Sequence, residues 1–339
     1  MIGFQVTIIL ALVGVSEGML GTMAKRNAAT GADIVVRAED SSALSFGLNM
    51  DERYVGFVRM QEHVTQATGV LVHPISGFDS ITGINLREFN EMSGGLQFLE
   101  GGPFTKPDDL VVDRIFAEQR DLHPGDTFDF GHEWHVTGIV EEGKLSRTFA
   151  DITALQDIFA ETGKVSMIYV KVDDKANIQT VIDTLKESMP NNPIYSMQEF
   201  TSLFTVSAVP YLEPFINVVI GIAVIGGFLI VFLAMYMAVL ERTREIGILK
   251  ALGASPGYIV GILLREAAVL AILGTIMGIG MAYGTKFLMA NFVPNMPQEI
   301  VPHWYPIALV IALCGSLLGA IYPGFKAARQ DAIEALSYD

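Results

Sequence analysis

Only in its last third does this chain alternate long apolar runs with short charged ones. Residues 215–240 and 267–285 carry no charged side chain. A helix rises about 1.5 Å per residue, so about 20 apolar residues cross a hydrocarbon core of about 30 Å. Membrane-spanning helices are therefore predicted at about 214–240, 262–287 and 304–325, the last entered through Trp304 and Tyr305, the residue types of an interfacial aromatic belt. A fourth apolar stretch, residues 1–16, is slightly short of a full span. It lacks the cationic start and the small-x-small pattern of a signal peptide, which argues against that reading.

Residues 24–210 have a different rhythm. GADIVVRAED, GVLVHPISG and ITGINLREF alternate or cluster their apolar residues and sit between turn formers, as strands do. A turn-rich β segment follows, with one short helix near Arg114–Arg120. VSMIYVKVD, NIQTVIDTLKESM and NPIYSMQEF then read as strand, helix and strand. The helix gathers Ile178, Val181, Ile182 and Leu185 on one face.

Charge sharpens the division. The formal net charge of −15 comes entirely from residues 1–213, whereas residues 214–339 balance seven Lys and Arg against seven Asp and Glu. An acidic module of soluble character thus adjoins a neutral, lipid-like one. The acidic balance argues against nucleic acid, whose phosphates need clustered Lys and Arg. The one cysteine, Cys314, lies in an apolar run and excludes an intramolecular disulfide. It is expected to be a small packing residue inside the helices.

One charged run interrupts the apolar third. Residues 241–257, ERTREIGILKALGASPG, set Glu241, Arg242, Arg244, Glu245 and Lys250 among Ile246, Ile248, Leu249 and Leu252. Good helix formers and charge pairs at helical spacing predict a brief helix that stops at Gly253, before Pro256. On residues alone this is either a solvated link between spans or a docking element. REIGILKALGAS, the glycine-rich helix behind it and the ending YPGFKAARQDAIEALSYD resemble the FtsX-like/MacB-like permease family of ABC transporters. The 24–210 order resembles that family's MacB-like periplasmic core domain, with a β-rich insert at about 80–150.

The resemblance implies an α-helical membrane protein with four transmembrane helices, one N-terminal and three C-terminal. An α+β extracytoplasmic domain is inserted between the first and second. The implied domains are 1–23, a first helix and stalk; 24–210, the periplasmic core; and 211–339, the FtsX-like permease domain. Members usually begin with a basic amphipathic segment that this sequence lacks, which implies a late start or a truncated first helix. The brief helix would be a coupling helix to the ATP-binding subunit, carried by Arg242, Arg244, Glu245, Ile246, Leu249, Lys250, Leu252 and Gly253. ATP and Mg would be bound by that partner, and no cofactor by this chain. A second permease copy or paralogue, a periplasmic adaptor or substrate protein and membrane lipids complete the expected partners. The location would be a bacterial inner membrane.

Loop charges agree with that orientation. Arg242, Arg244 and Lys250 in the 241–257 loop, and Lys326 and Arg329 in the tail, contrast with a 290–303 loop that has no Lys or Arg. The positive-inside rule places the former in the cytoplasm and the 24–210 module outside. Small residues stand four apart at Gly274/Gly278, Gly280/Gly284 and Gly315/Gly319, which lets helix backbones touch. Packing within the chain and dimerisation both need such pairs.

Catalytic patterns are missing. TGKVS at 162–166 lacks the first glycine and the hydroxyl of a phosphate loop. HEWH at 132–135 has its histidines three apart, not the four of a zinc helix, and in a strand such positions face opposite ways. His63, His73 and His123 read as surface or turn residues, and Asp108-Asp109 and Asp173-Asp174 as turn or cap residues. Spans free of charge, with Arg265 and Glu266 near one end, argue against an ion-coupled pump. The function expected is a non-catalytic permease subunit of the MacB/lipoprotein-release type, exporting or extracting a lipoprotein, macrolide or peptide. The alternative is a membrane-anchored receptor or a cell-wall-hydrolase regulator that moves no cargo. Within the resembled family an outer module this large argues against the cell-wall-hydrolase type.

Overall fold

The computed structural model describes residues 1–41, 48–76, 79–209, 211–293 and 296–329. The chain divides into two compact units, residues 20–209 and residues 1–19 with 210–339. The N-terminal stretch is no half-span. It is one helix, α1 (Ile2–Ala28), whose 27 residues exceed what a crossing requires.

The first unit is a sheet with helices. Its elements in order are β1 (Ile34–Arg37), β2 (Met50–Asp51), α2 (Arg53–Arg59), β3 (Val64–Ser76), β4 (Asp79–Ile84), α3 (Leu86–Ser93), β5 (Phe98–Gly101) and β6 (Asp109–Asp113). Then come α4 (Arg114–Arg120), β7 (Thr127–Asp129), β8 (Glu133–Val140), β9 (Thr148–Asp151), α5 (Ile152–Ile158), β10 (Lys164–Val165), β11 (Met167–Val172), α6 (Ile178–Ser188), β12 (Ile194–Ser196) and α7 (Met197–Ser202). Among the described residues the main sheet runs β12-β1-β11-β3-β4-β9-β6-β8-β5, with β7 on β8. β11 and β12 both lie antiparallel to β1, so β11, α6 and β12 form a β-α-β unit split by β1. Residues 80–150 extend this same ladder, because β9 pairs parallel with β4 at Thr82–Phe149.

The core follows from the patterns. Val181, Ile182 and Leu185 of α6 are buried in one cluster with Ile34, Val36, Ile168 and Val170. Asp113 both caps α4, accepting from the Phe116 amide at 2.7 Å, and pairs with Arg26 at 2.9 Å. Burial pushes its carboxyl up, against the pull of Arg26.

ITGINLREF is not all strand. The strand stops at Ile84, and Asn85 starts α3 by accepting from the Glu88 amide at 3.2 Å. The Asn-x-x-Glu spacing is an N-terminal helix signal. His73 is not a bare surface residue either. Its ring stacks on Phe159 at 3.8 Å and bonds Glu161 at 3.2 Å. His132 reaches Asp108 rather than His135, at 3.0 Å. Among the described residues no group of three potential ligands is placed to hold a metal ion.

The second unit holds the helices. With the first part of α1 it contains α8 (Leu212–Glu241), α9 (Thr243–Ala251), α10 (Pro256–Phe292) and α11 (Tyr305–Arg329). Among the described residues four helices are long and apolar enough to cross a membrane. α10 is longer than the sequence reading and carries Lys286 near its end, besides Arg265 and Glu266, so its span is not free of charge. Cys314 faces outward instead of packing inside.

Close packing in this unit runs through glycine. A Cβ at Gly278 would stand 2.6 Å from the Gly3 carbonyl oxygen and 2.7 Å from the Val6 Cβ. A Cβ at Gly274 would meet Ile2 at 2.8 Å. Thr7 donates to the Gly278 carbonyl at 3.1 Å across the same contact. Farther along α1, Gly14 and Gly18 receive the Pro297–Glu299 backbone, and the Glu299 amide donates to the Gly14 carbonyl at 2.9 Å. Gly319 meets the α8 backbone at Phe228. By contrast, a Cβ at Gly280, Gly284 or Gly315 would meet nothing within 4 Å.

Two predictions follow from this packing and from the sheet unit's surface. Gly278→Ala should cost about 1–3 kcal/mol, because the facing atom is backbone and cannot step aside. Gly280→Ala should stay within about 0.5 kcal/mol. Unfolding titrations of the two detergent-solubilised variants compare them directly. In the sheet unit His63 lies 3.0 Å from Asp173. Hydrogen bonds from Asn177 and His63 hold the Asp173 carboxyl down at about 2, and the bond to Asp173 raises His63 above its ordinary 6.5. The pair's contribution is therefore whole between the ordinary values of 3.8 and 6.5. It fades as pH falls towards 2 and as pH rises through the raised His63 value. The difference in Tm between wild type and His63→Gln should be largest in that window.

Candidate coupling surface

α9 is held at both ends. At its start Thr243 donates to the Val239 carbonyl at 3.0 Å, and Arg242 reaches Glu266 of α10 at 3.5 Å. At its end Gly253 takes φ +94°, the Gly253 amide donates to Lys250 O, and the Ala254 amide to Leu249 O at 3.0 Å. That pair of bonds is the Schellman closure, and glycine enters its left-handed position without a Cβ clash. Ser255 then caps α10, accepting from the Tyr258 amide at 3.3 Å, with Pro256 in the first helical position.

The rotation of α9 is fixed by its inner face. Ile246, 8% exposed, belongs to a buried cluster with Val239 of α8, Ile259 and Leu263 of α10, and Ala327 of α11. Lys250 donates from Nζ to the Ala328 carbonyl at 2.8 Å, a cation on the closing turn of α11. The sequence reading set Ile246 beside Leu249 and Leu252 as an anchor for a partner. The structure spends Ile246 inside the chain.

What α9 presents outward is Glu245, Ile248, Leu249 and Leu252, flanked by exposed Arg244. Ile248 is 45%, Leu249 38% and Leu252 81% exposed. Their spacing of three and four places them on one face. Ile248 was not singled out from sequence. Periodicity alone did not pick it out: once Ile246 is buried and Lys250 is tied to α11, residues 248, 249 and 252 must turn the other way. Of the glycine pairs, Gly274, Gly278 and Gly319 are taken up by close contacts inside the unit, Gly280 and Gly284 are exposed, and Gly315 is buried with room for a Cβ. The close-packed glycines of α1, Gly3 against Gly274 and Gly278 and Gly14 and Gly18 against Pro297–Glu299, were missed, although Gly14 and Gly18 stand four apart.

Four helices long and apolar enough to cross a membrane and a separate mixed sheet unit have the form of a multi-pass membrane protein with a large domain outside the bilayer. Comparison with known proteins gives the class a name. The family model for the MacB-like periplasmic core domain matches residues 2–188, and that for the FtsX-like permease C-terminal region matches residues 217–332. The chain belongs to the MacB/FtsX-type family of ABC transporter permeases.

An uncharacterized ABC transporter permease, YknZ of Bacillus subtilis (strain 168), is 30% identical over 215 residues, covering 60% of this chain and 52% of the relative. A macrolide export ATP-binding/permease protein, MacB of Chromobacterium violaceum, is 33% identical over 146 residues, covering 42% of this chain and 22% of the relative. The chain thus spans about half the length of the first and under a quarter of the second. Among solved structures, the periplasmic region of MacB from Actinobacillus actinomycetemcomitans aligns at TM-score 0.39 and 14% identity, over 53% of this chain and 96% of that one. The extracellular domain of YknZ aligns at TM-score 0.37 and 17% identity, over 48% and 98%.

The two faces of α9 should separate in mutagenesis. Ile246→Ala should destabilise the helical unit by about 2–4 kcal/mol, the usual range for emptying a buried aliphatic site. Leu252→Ala should stay within about 0.5 kcal/mol. Denaturant unfolding in detergent measures both.

Proposed function

We propose that this chain is the permease subunit of an ABC transporter of the MacB/lipoprotein-release type, driven by ATP hydrolysis in a separate ATP-binding subunit. The observation that carries the reading is the two-faced seating of α9. Its inner face is locked to α8, α10 and α11, while its outer face offers Ile248, Leu249 and Leu252 to water. Three exposed apolar side chains at helical spacing suit a hydrophobic groove on a partner. Arg244 and Glu245 beside them set register and partner choice. Arg242 pairs with Glu266 and Lys250 donates to the Ala328 carbonyl, and both contacts hold the element in place.

The mechanism has three steps. ATP, bound with Mg by the partner, draws two ATP-binding subunits together. Each carries the α9 seated on it. α1 and α8 pass the displacement to the extracytoplasmic domain, which opens or closes on a periplasmic adaptor or on amphiphilic cargo such as a lipoprotein, a macrolide or a peptide. A second copy or a paralogue completes the pair, and the open small-residue face at Gly280 and Gly284 of α10 suits helix–helix contact between copies. α9 and the C-terminus face the cytoplasm of a bacterial inner membrane, as the loop charges favour.

The test purifies the chain with its ATP-binding subunit and introduces Leu249→Asp and Leu252→Asp singly. Removing an apolar anchor costs at least about 2 kcal/mol, so binding should weaken by about 30-fold or more. Stimulated ATP hydrolysis should fall with it, while the unfolding midpoint of the permease alone stays unchanged. Wild-type complex formation and stimulation in both variants would overturn the reading.

A further inference from the structure

Outside α9, one groove of the helical unit combines an apolar floor with a cationic end. On α8, Phe228, Phe232 and Tyr236 stand four residues apart, and successive rings lie 6.2 Å apart with interplanar angles of 26° and 20°. Tyr322 of α11 closes the side of this ladder, 5.7 Å from Phe232. The ladder is about 12 Å long at helical rise. It leads to Lys326, whose Nζ donates to the Tyr236 hydroxyl at 2.6 Å and lies 4.6 Å from the centre of its ring. Beyond it a cavity of about 480 Å³ is lined by Tyr322, Phe325, Lys326 and Arg329.

The chemistry of that end is anion recognition. Lys326 has three N–H donors and spends one on Tyr236, and Arg329 brings a planar fork of donors. Among the described residues neither cation has a carboxylate partner. The stacked tyrosine steadies the ammonium and keeps it at the groove's mouth instead of free in water. Tyr322 and Phe325, both more than half exposed, give the walls of the cavity an apolar character. A free inorganic anion has no use for the aromatic floor. A long apolar chain has no use for the cations. One molecule satisfies both at once.

We propose that this groove binds an anionic phospholipid, its acyl chain along Phe228, Phe232 and Tyr322 and its phosphate between Lys326 and Arg329. The site lies at the end of α11 that the proposed topology sets in the cytoplasm, where the leaflet carries the anionic lipids. In this the inference rests on that topology. The lipid holds α8 and α11 together beside the α9 cluster, since Ala327 and Ala328 of the same turn carry the contacts of Ile246 and Lys250.

The test uses the full chain in nanodiscs and detergent, with no ATP-binding subunit, so its failure is separable from failure of the coupling mechanism. Native mass spectrometry counts retained palmitoyl-oleoyl phosphatidylglycerol against phosphatidylcholine of the same chains. Wild type should prefer the anionic lipid by about 10- to 30-fold, from two basic residues near the surface. The double variant Lys326→Gln, Arg329→Gln should lose that preference and keep its basal phosphatidylcholine binding. Phe232→Ser should weaken both lipids alike. Soluble glycerol phosphate should not compete. Equal retention of the two lipids by wild type would overturn the proposal, as would a preference that survives the double variant. Competition by glycerol phosphate would overturn it in favour of a free-phosphate site. Cross-linking of two copies through Tyr322→Cys at lipid-saturating concentrations would overturn it in favour of a second chain on this face.

Discussion

Ile246 sits in the same small cluster as side chains from α8, α10 and α11, and the orientation of α9 depends on it. A nine-residue helix between two long ones has little rotational preference of its own, since short isolated helices are marginal in water. Burying one β-branched residue against three helices removes that freedom. Lys250 on the Ala328 carbonyl and the left-handed Gly253 fix the far end. The three exposed apolar residues then face outward as a consequence. The same packing that stabilises the unit defines the short amphipathic surface of α9.

The cluster in turn requires that the helices stay close, and in a lipid environment no hydrophobic driving force brings them together. Backbone contact through small residues supplies the attraction instead. Gly274 and Gly278 admit α1, Gly319 admits α8, and Gly14 and Gly18 admit the segment that returns from α10 to α11. Thr7 adds a hydrogen bond to a backbone carbonyl where the helices touch. Larger side chains at these positions would part the helices, and dispersion falls off steeply with separation.

Much of this architecture was legible in the sequence because strong periodic signals survive folding. Uninterrupted apolar runs give spans, and the strand–helix–strand ending at Ile194–Ser196 was read from alternation and a one-sided helix. The short helix Arg114–Arg120 was read at its bounds. Other features could not be read, for a common physical reason. Whether Ile246 or Ile248 faces a partner depends on which neighbours surround the helix. A 246/249/252 face and a 248/249/252 face have nearly the same period, and only the α8, α10 and α11 contacts choose between them. Likewise, Gly274/Gly278 and Gly280/Gly284 are alike as sequence and differ only in what stands opposite. Asn85 was missed for a local reason. ITGIN has strand propensity up to Ile84, and one side-chain cap redirects the chain.

The two units meet different demands with different chemistry. In the sheet unit, buried polar groups carry fixed positions. Asp113 serves Arg26 and the start of α4 together, and a charge held by two partners tolerates burial that neither would support alone. Among the described residues of the helical unit no charged side chain is buried, and two at its α9 end make contacts within the unit. Arg242 answers Glu266 while its side chain stays 57% exposed, and Lys250 answers a helix terminus. In the proposed coupling, selectivity falls to the exposed charges around the apolar trio, among them Arg244 and Glu245, of opposite sign and adjacent. Exposed charges of that kind contribute little to affinity but act on encounter and on exclusion of wrong partners. Affinity is left to the apolar trio beside them, whose contacts become dry when a groove closes over them. In the complex proposed above, a surface so divided would bind firmly while a change in its charges would alter which ATP-binding subunit it accepts.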